Sequence, residues 1–386
     1  MEHHISRLLD LAIAIQQIPA PTFHEAARAE FVRARFIEEK LQSVEIDSTG
    51  NVYACFGSKR QPPADKTQPF GNTQGKPLIV SAHLDTVFPL NVDLSVRRDQ
   101  ESILAPGIGD NSLGLAGLFG LVWVLRERSV SLPSDLWLVA NVCEEGLGNL
   151  RGIKAVVDRF EPRHERSAER YGPLAYIILE GMALGQVFHQ GLGVRRYRLS
   201  VRTAGGHSWI DYGLPSAVHE LTALSTRITT LELPRSPRTT LNVGVISGGT
   251  TVNTIAAEAM LELDLRSANA ATLEDVVRQV EQIVDSAQKP GVAIEMEAIG
   301  QRPSGEIPAE HQLVRLAQDC LREVGLEPHL NIGSTDANLP LSHGLPAVTI
   351  GLTTGGRGHT VHEFINIPPL EKGLEQLVKL VSRAWE

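Results

Sequence analysis

Apolar residues fall along this chain in two textures. Near the start and near the end, short uninterrupted apolar runs alternate with longer stretches of helical period. Residues 78–87, 135–142 and 175–179 are such runs and read as strands buried on both faces. Residues 112–126 read as an apolar helix between the first two. Ahead of them the pattern predicts a helix, a turn and a second helix over 26–41, with Thr22 and Glu25 at capping-box spacing before it. Residues 61–75, rich in Pro, Gln and Gly, read as a loop.

The texture changes near Gly191. Over 195–203, Tyr197, Leu199 and Val201 alternate with Arg196, Arg198, Ser200 and Arg202, the pattern of a half-exposed strand. A helix over 215–231, strands over 241–246 and 260–266 around a Gly248-Gly249 turn, a helix over 273–287 and a strand over 292–298 complete an α+β unit. After Gly305 the first texture returns, with a helix over 309–324, a strand over 347–352 and a final helix from Leu370. The prediction is a layered α/β domain with a mostly parallel sheet, residues 1–190 and 304–386, interrupted by a smaller α+β domain at 191–303. A free edge strand in that smaller sheet would be a liability unless paired.

Length and charge narrow the function. At 386 residues the chain can build large cores without disulfide staples. A formal net charge of −9 argues against nucleic acid as a main partner, since phosphate binding needs a basic footprint. Three cysteines, Cys55, Cys143 and Cys320, are odd in number and far apart, which fits neither a disulfide framework nor a thiolate metal site. The N-terminus has no signal-peptide pattern and no run of about 18 apolar residues is expected elsewhere. The expectation is a cytoplasmic protein with no membrane contact.

The chemistry concentrates where apolar runs end. His83-Leu84-Asp85 closes the first buried strand, and strand alternation puts His83 and Asp85 on one face. An acid two residues from a histidine can orient its ring, although the same tripeptide can be a plain polar strand end. Gly107-Ile108-Gly109-Asp110-Asn111 leads into the apolar helix, as a close-approach loop or as a capped turn. Glu144-Glu145 ends the second strand and Glu180 the third, and either could simply begin a solvated loop. Adjacent carboxylates on an extended chain are expected to point to different sides. Gly358-His359-Thr360-Val361-His362-Glu363 is the last cluster, in which one histidine need not be a ligand. Taken together, two histidines and four carboxylates converge on the carboxyl edge of an α/β sheet. That donor set suits a pair of zinc ions sharing a carboxylate.

On the ordered set Ser81-Ala82-His83-Leu84-Asp85-Thr86-Val87, Gly109-Asp110-Asn111, Glu144-Glu145-Gly146, Glu180-Gly181 and His359 four residues before Glu363, the chain resembles the two-zinc exopeptidases and deacylases of clan MH. These include peptidase T, glutamate carboxypeptidase, acetylornithine deacetylase and succinyl-diaminopimelate desuccinylase. The resemblance covers almost the whole chain and looks closest to peptidase T-like members. It differs at Glu180, where peptidase T looks to have aspartate and the carboxypeptidase and desuccinylase branches glutamate.

The resemblance implies roles. His83 and Glu180 would bind one metal, Glu145 and His359 the other, and Asp110 would bridge them. Asp85 would support His83, and Glu144 would be the general base acting on a metal-bridging water. Two divalent ions are implied, zinc first, with cobalt or manganese as alternatives. Gly205-Gly206-His207-Ser208 looks like the family's lid motif, whose His207 would reach the scissile carbonyl, usually in the partner subunit of a homodimer. Asn242, Asn253 and Arg266 match further lid positions, and Arg266 suits a substrate carboxylate. Residues 333–338 resemble a loop lining the site; His189, His219, His329 and His362 receive no role. The implied activity is cleavage of an amide in a small peptide. The alternatives are an N-acyl amino acid deacylase and, from another class, a catalytically silent metal-binding dimerisation module. Glu144 speaks against the last, because a structural site has no need of a carboxylate that is not a ligand.

Overall fold

Four parallel strands set where the chemistry lies. The computed structural model describes residues 1–57, 75–161 and 172–386. The expected loop at 61–75 lies, save for its last residue, outside them. The strands Leu136–Asn141, Leu78–His83, Ala175–Glu180 and Ala347–Gly351 lie side by side in that order and run parallel. Their side chains are almost entirely buried on both faces, which is why they read as apolar runs rather than alternating ones. The sheet continues antiparallel on both sides, through Val52–Phe56 and Gln42–Ile46 at one end and Gln186–Gly191 at the other.

Helices cover this sheet. Gly114–Glu127 is buried along nearly its whole length. Among the described residues Ile108–Glu127 is long and apolar enough on average to cross a membrane by length and composition, although Asp110, Asn111 and Ser112 interrupt its apolar run. Yet 94% of its window is buried inside the protein, so its apolar surface is core. Glu2–Gln16, Gln312–Glu323 and Leu370–Arg383 supply further apolar stripes to the same core. Cys55, Cys143 and Cys320 are buried and free.

The helix expected over 26–41 runs from Ala26 to Glu38, and the capping box before it does not form. Glu25 occupies the cap position without a side-chain cap bond. Its carboxylate accepts instead from the N–H groups of Phe23 and Cys143 at 3.0 and 3.1 Å. Thr22 Oγ1 donates to Asp85 Oδ2 at 2.8 Å. The spacing is right for a cap, but both side chains have stronger partners across the sheet edge.

The described residues form two units, Met1–Gln190 with Glu306–Glu386, and Gly191–Gly305. The second is a four-stranded antiparallel sheet in the order Thr239–Gly248, Glu258–Ser267, Gly193–Arg202, Ala293–Arg302. The helices Ala217–Thr229 and Ala270–Ala287 pack against it through a core of its own. The alternating strand is therefore interior. The two edges are Thr239–Gly248 and Ala293–Arg302, and the former is mostly exposed.

Candidate metal centre

Because the four parallel strands share one direction, their carboxyl ends deliver side chains to one edge. His83 is the last residue of its strand and Glu180 of its own. Glu144 and Glu145 follow Leu136–Asn141, and His359 follows Ala347–Gly351. Asp110 comes from the turn before the apolar helix.

Asp110 sits between the two histidines. Its Oδ1 is 3.0 Å from His83 Nε2 and its Oδ2 is 3.0 Å from His359 Nε2. His83 Nε2 also lies 3.8 Å from Glu180 Oε2, and His359 Nε2 lies 3.1 Å from Glu145 Oε1. Potential ligand atoms form three overlapping groups: His83 with Asp110 and Glu180, Asp110 with Glu145 and His359, and His83 with Glu144 and Glu145. Within each group they lie no more than 4.8 Å apart.

The last group shows that both neighbouring glutamates, expected on different sides, reach the same histidine with one oxygen each. Cys143 before them has φ 59, a left-handed turn that separates the pair from the strand, and Glu145 itself is extended. His362 is exposed and outside all three groups. His189 is buried, with Nδ1 2.7 Å from the Ile307 carbonyl.

Close backbone approach makes the cluster possible. A Cβ on Gly181 would stand 2.0 Å from the Gly109 carbonyl oxygen, and one on Gly109 would meet Met182 Cγ at 2.4 Å. The glycines beside Glu180 and Asp110 therefore let the two loops touch.

Asp85 ties several parts together. It is fully buried. Its two oxygens accept from the N–H groups of Glu144 and Glu145, each at 2.9 Å, and from Thr22. His83 Nδ1 lies 3.5 Å from Asp85 Oδ1 and 3.0 Å from the Asp85 carbonyl. Asp85 thus orients His83 through its carbonyl and the turn bearing both glutamates through its carboxylate. Arg28 is buried behind it and donates to the carbonyls of Leu84 and Ile18 at 2.8 and 2.6 Å.

Two buried acids carry structure here that received no role from the sequence. Glu363 accepts from the N–H groups of Gly107, Gly109 and Asp110 at 3.2, 2.7 and 2.8 Å. Its place four residues after His359 was the signal that could have found it. Asp336, in the loop expected to line the site, accepts from Asn141 Nδ2 at 2.7 Å. Asn141 is in register with His83 on the neighbouring strand.

Burial and mutual repulsion make this set of acids hungry for cations. Burial, reinforced by the charges of Asp110 and Glu144, pushes Glu145 and Glu180 up to about 7 against the pull of the histidines. Burial also opposes ionisation of Asp110, but hydrogen bonds from His359 and His83 outweigh it and hold that carboxyl well below the usual range. His359 is raised to about 10 by its bonds to Asp110 and Glu145. Burial, with the Glu144 charge adding to it, raises Asp336 well above its ordinary value. Imidazole nitrogen and carboxylate oxygen in overlapping groups fit divalent cations.

A family model described as peptidase family M20/M25/M40 matches residues 79–383. The chain belongs to that family. It is therefore a metal-dependent hydrolase, and its three overlapping donor groups are candidate metal ligands. The chain is 24% identical over 396 residues to the uncharacterized protein YqjE of Bacillus subtilis, covering 98% of each. A probable carboxypeptidase of Arthroderma otae is 23% identical over 419 residues, covering 99% of this chain and 86% of that one. Among solved structures, aminopeptidase PepT from Bacillus cereus superposes with a TM-score of 0.76 at 20% identity over 99% of both chains, a likeness of fold.

The remaining expected site residues lie in the second unit. His207 is exposed, in a short ribbon pairing Gly206–His207 with Thr254–Ile255. Its N–H donates to Asp211 Oδ2 at 2.8 Å. Its Nδ1 accepts from the N–H groups of Trp209 and Ile210 at 3.2 and 3.4 Å. An Nδ1 that accepts places the neutral ring's proton on Nε2. Asn242 is exposed and stands opposite Asp264 in the strand register. Asn253 is exposed, and its Oδ1 accepts from Thr251 Oγ1 at 3.0 Å. Arg266 is already engaged: its Nε and Nη2 donate to the two oxygens of Asp264 at 2.9 and 3.0 Å.

Proposed function

We propose that the chain is an exopeptidase that hydrolyses an amide bond in small peptides with two divalent metal ions, zinc first among them. The observation that carries this reading is Asp110, one carboxylate whose two oxygens each face a different histidine at 3.0 Å. His83 and Glu180 would hold one ion, Glu145 and His359 the other, and Asp110 both. Such ions supply Lewis acidity, polarising a carbonyl oxygen and acidifying water.

The chain's own groups do the rest. Glu144 is the general base: it takes the proton of the attacking water and passes it to the leaving nitrogen. Asp85 holds Glu144 by accepting its N–H at the carboxylate, and the His83 ring at its own carbonyl. His207 donates its Nε2 proton to the developing oxyanion. By the resemblance it serves the active site of the other subunit in a homodimer formed through residues 191–303. The exposed edge strand Thr239–Gly248 suits pairing across a two-fold axis. Asn242 and Asn253 would contact substrate from the same unit. The names of an aminopeptidase and a probable carboxypeptidase among the similar proteins support peptides as substrates.

The test is a panel of di- and tripeptides, N-acetyl and N-succinyl amino acids, assayed with chelated and zinc- or cobalt-reconstituted protein. Metal-dependent release of amino acids from peptides is expected. Cleavage confined to N-acyl amino acids would make it a deacylase, and full activity after complete chelation would remove the metal mechanism.

A further inference from the structure

One more charged group stands at this sheet edge. Arg357 lies between Gly356 and Gly358, two residues before His359, with φ 58. Its carbonyl accepts from the Thr360 N–H and hydroxyl at 3.2 and 2.8 Å. The Glu363 N–H donates to the Thr360 carbonyl at 3.1 Å, and the Glu363 carboxylate anchors the Asp110 loop. Arg357 is thus held on the same tied turn as His359, with its side chain exposed.

Among the described residues that side chain has no hydrogen bond, ion pair or ring contact. Two other arginines, Arg28 beneath the Asp85 turn and Arg151 after the Glu144-Glu145 turn, are engaged. Arg28 is buried on backbone carbonyls. Arg151 donates to Cys143 Sγ at 3.4 Å and lies over the Phe23 ring. Arg357 is two residues from His359, whose Nε2 lies 3.0 Å from Asp110, and its unpaired, exposed guanidinium remains open to an outside anion. A guanidinium at this place offers an anionic substrate group an anchor apart from the metals.

We propose that Arg357 binds the free carboxylate of the substrate, through the planar fork that matches two carboxylate oxygens. This rests on the amide-hydrolase reading above and deepens it. The substrates would be dipeptides and short peptides read from the carboxyl end, and carboxyl-terminal amides would be poor substrates.

Calorimetric titration of the metal-loaded protein with N-acetylleucine and with N-acetylleucinamide tests this in the wild type, R357A and R357K. The wild type should bind the acid about tenfold to a hundredfold more tightly than the amide. R357A should lose that preference while keeping its metal content and melting temperature, and R357K should keep part of it. A preference that survives R357A would assign it to the metals or another group and overturn the proposal. So would a wild type that binds both alike or neither. Leucyl dipeptides and their carboxyl-terminal amides, assayed for turnover, separate the two claims. Carboxylate-selective binding lost in R357A, without hydrolysis of any amide, leaves the Arg357 site standing and removes the hydrolase reading.

Discussion

The carboxylate of Glu363 accepts the backbone N–H of Asp110 at 2.8 Å, and the same oxygen accepts that of Gly109 at 2.7 Å. The residue that would bridge two metals is therefore held by an acid that is itself no member of the donor groups. Outer-shell partners of this kind typically govern metal affinity by about 10–100-fold.

Glu363→Ala should lower metal affinity by about that factor and leave the N–H groups of Gly107, Gly109 and Asp110 without their acceptor. Each buried donor left so costs about 1–3 kcal/mol. Glu363→Gln should retain part of the affinity, because its one carbonyl oxygen can still accept. Competition with a fluorescent zinc chelator measures both. Equal affinity in wild type and Glu363→Ala would show that the Asp110 loop holds itself.

Thr22→Val separates a site role from a capping role. Loss of the bond to Asp85 should lower kcat/KM by about tenfold, the equivalent of about 1.4 kcal/mol. The melting temperature should stay near that of the wild type, since the helix Ala26–Glu38 takes no cap bond from Thr22. A marked drop in melting temperature with unchanged kcat/KM would return Thr22 to a cap.

Glu144→Ala and Glu145→Ala should part company. The first should lose about 10²–10⁴-fold in turnover, the range for a positioned base, and keep both metals. The second should lose metal. Because oxygens of both carboxylates come near His83, metal analysis of the two purified variants is decisive, and the opposite pattern would exchange their roles.

The lid assignment is tested by complementation. Inactive His207→Ala and inactive Glu144→Ala, mixed under conditions that exchange subunits, should recover part of the activity, because a mixed dimer contains one intact site. No recovery despite demonstrated exchange, or an active monomer, would remove the role of His207 in the partner's site.

The donors were legible because each ends an apolar run, and parallel strands bring such ends to one edge whatever the loop details. Glu180 and His83 follow directly from that rule. What supports them was harder to read. Thr22 and Glu25 have the spacing of a cap, and only the folded sheet shows that Asp85 and Cys143 N–H offer them better partners. Glu363 was visible as part of a spacing but not as a clamp, since its partners are backbone groups more than 250 residues away in sequence. Arg266 suits a substrate carboxylate by residue type and motif position, and a sequence does not show that its Nε and Nη2 donate to Asp264, two residues earlier on the same strand face. The strand Gly193–Arg202 alternates because one face packs on the unit's helices and the other is more open, and only the fold shows that it is paired on both sides.

The central claim is that Asp110 joins two metal sites. Anomalous diffraction at the zinc edge from zinc-loaded crystals measures it most directly. Two peaks are expected, one against His83 and Glu180, the other against Glu145 and His359, with an oxygen of Asp110 bound at each. A single peak, or two peaks that do not share Asp110, would contradict the account.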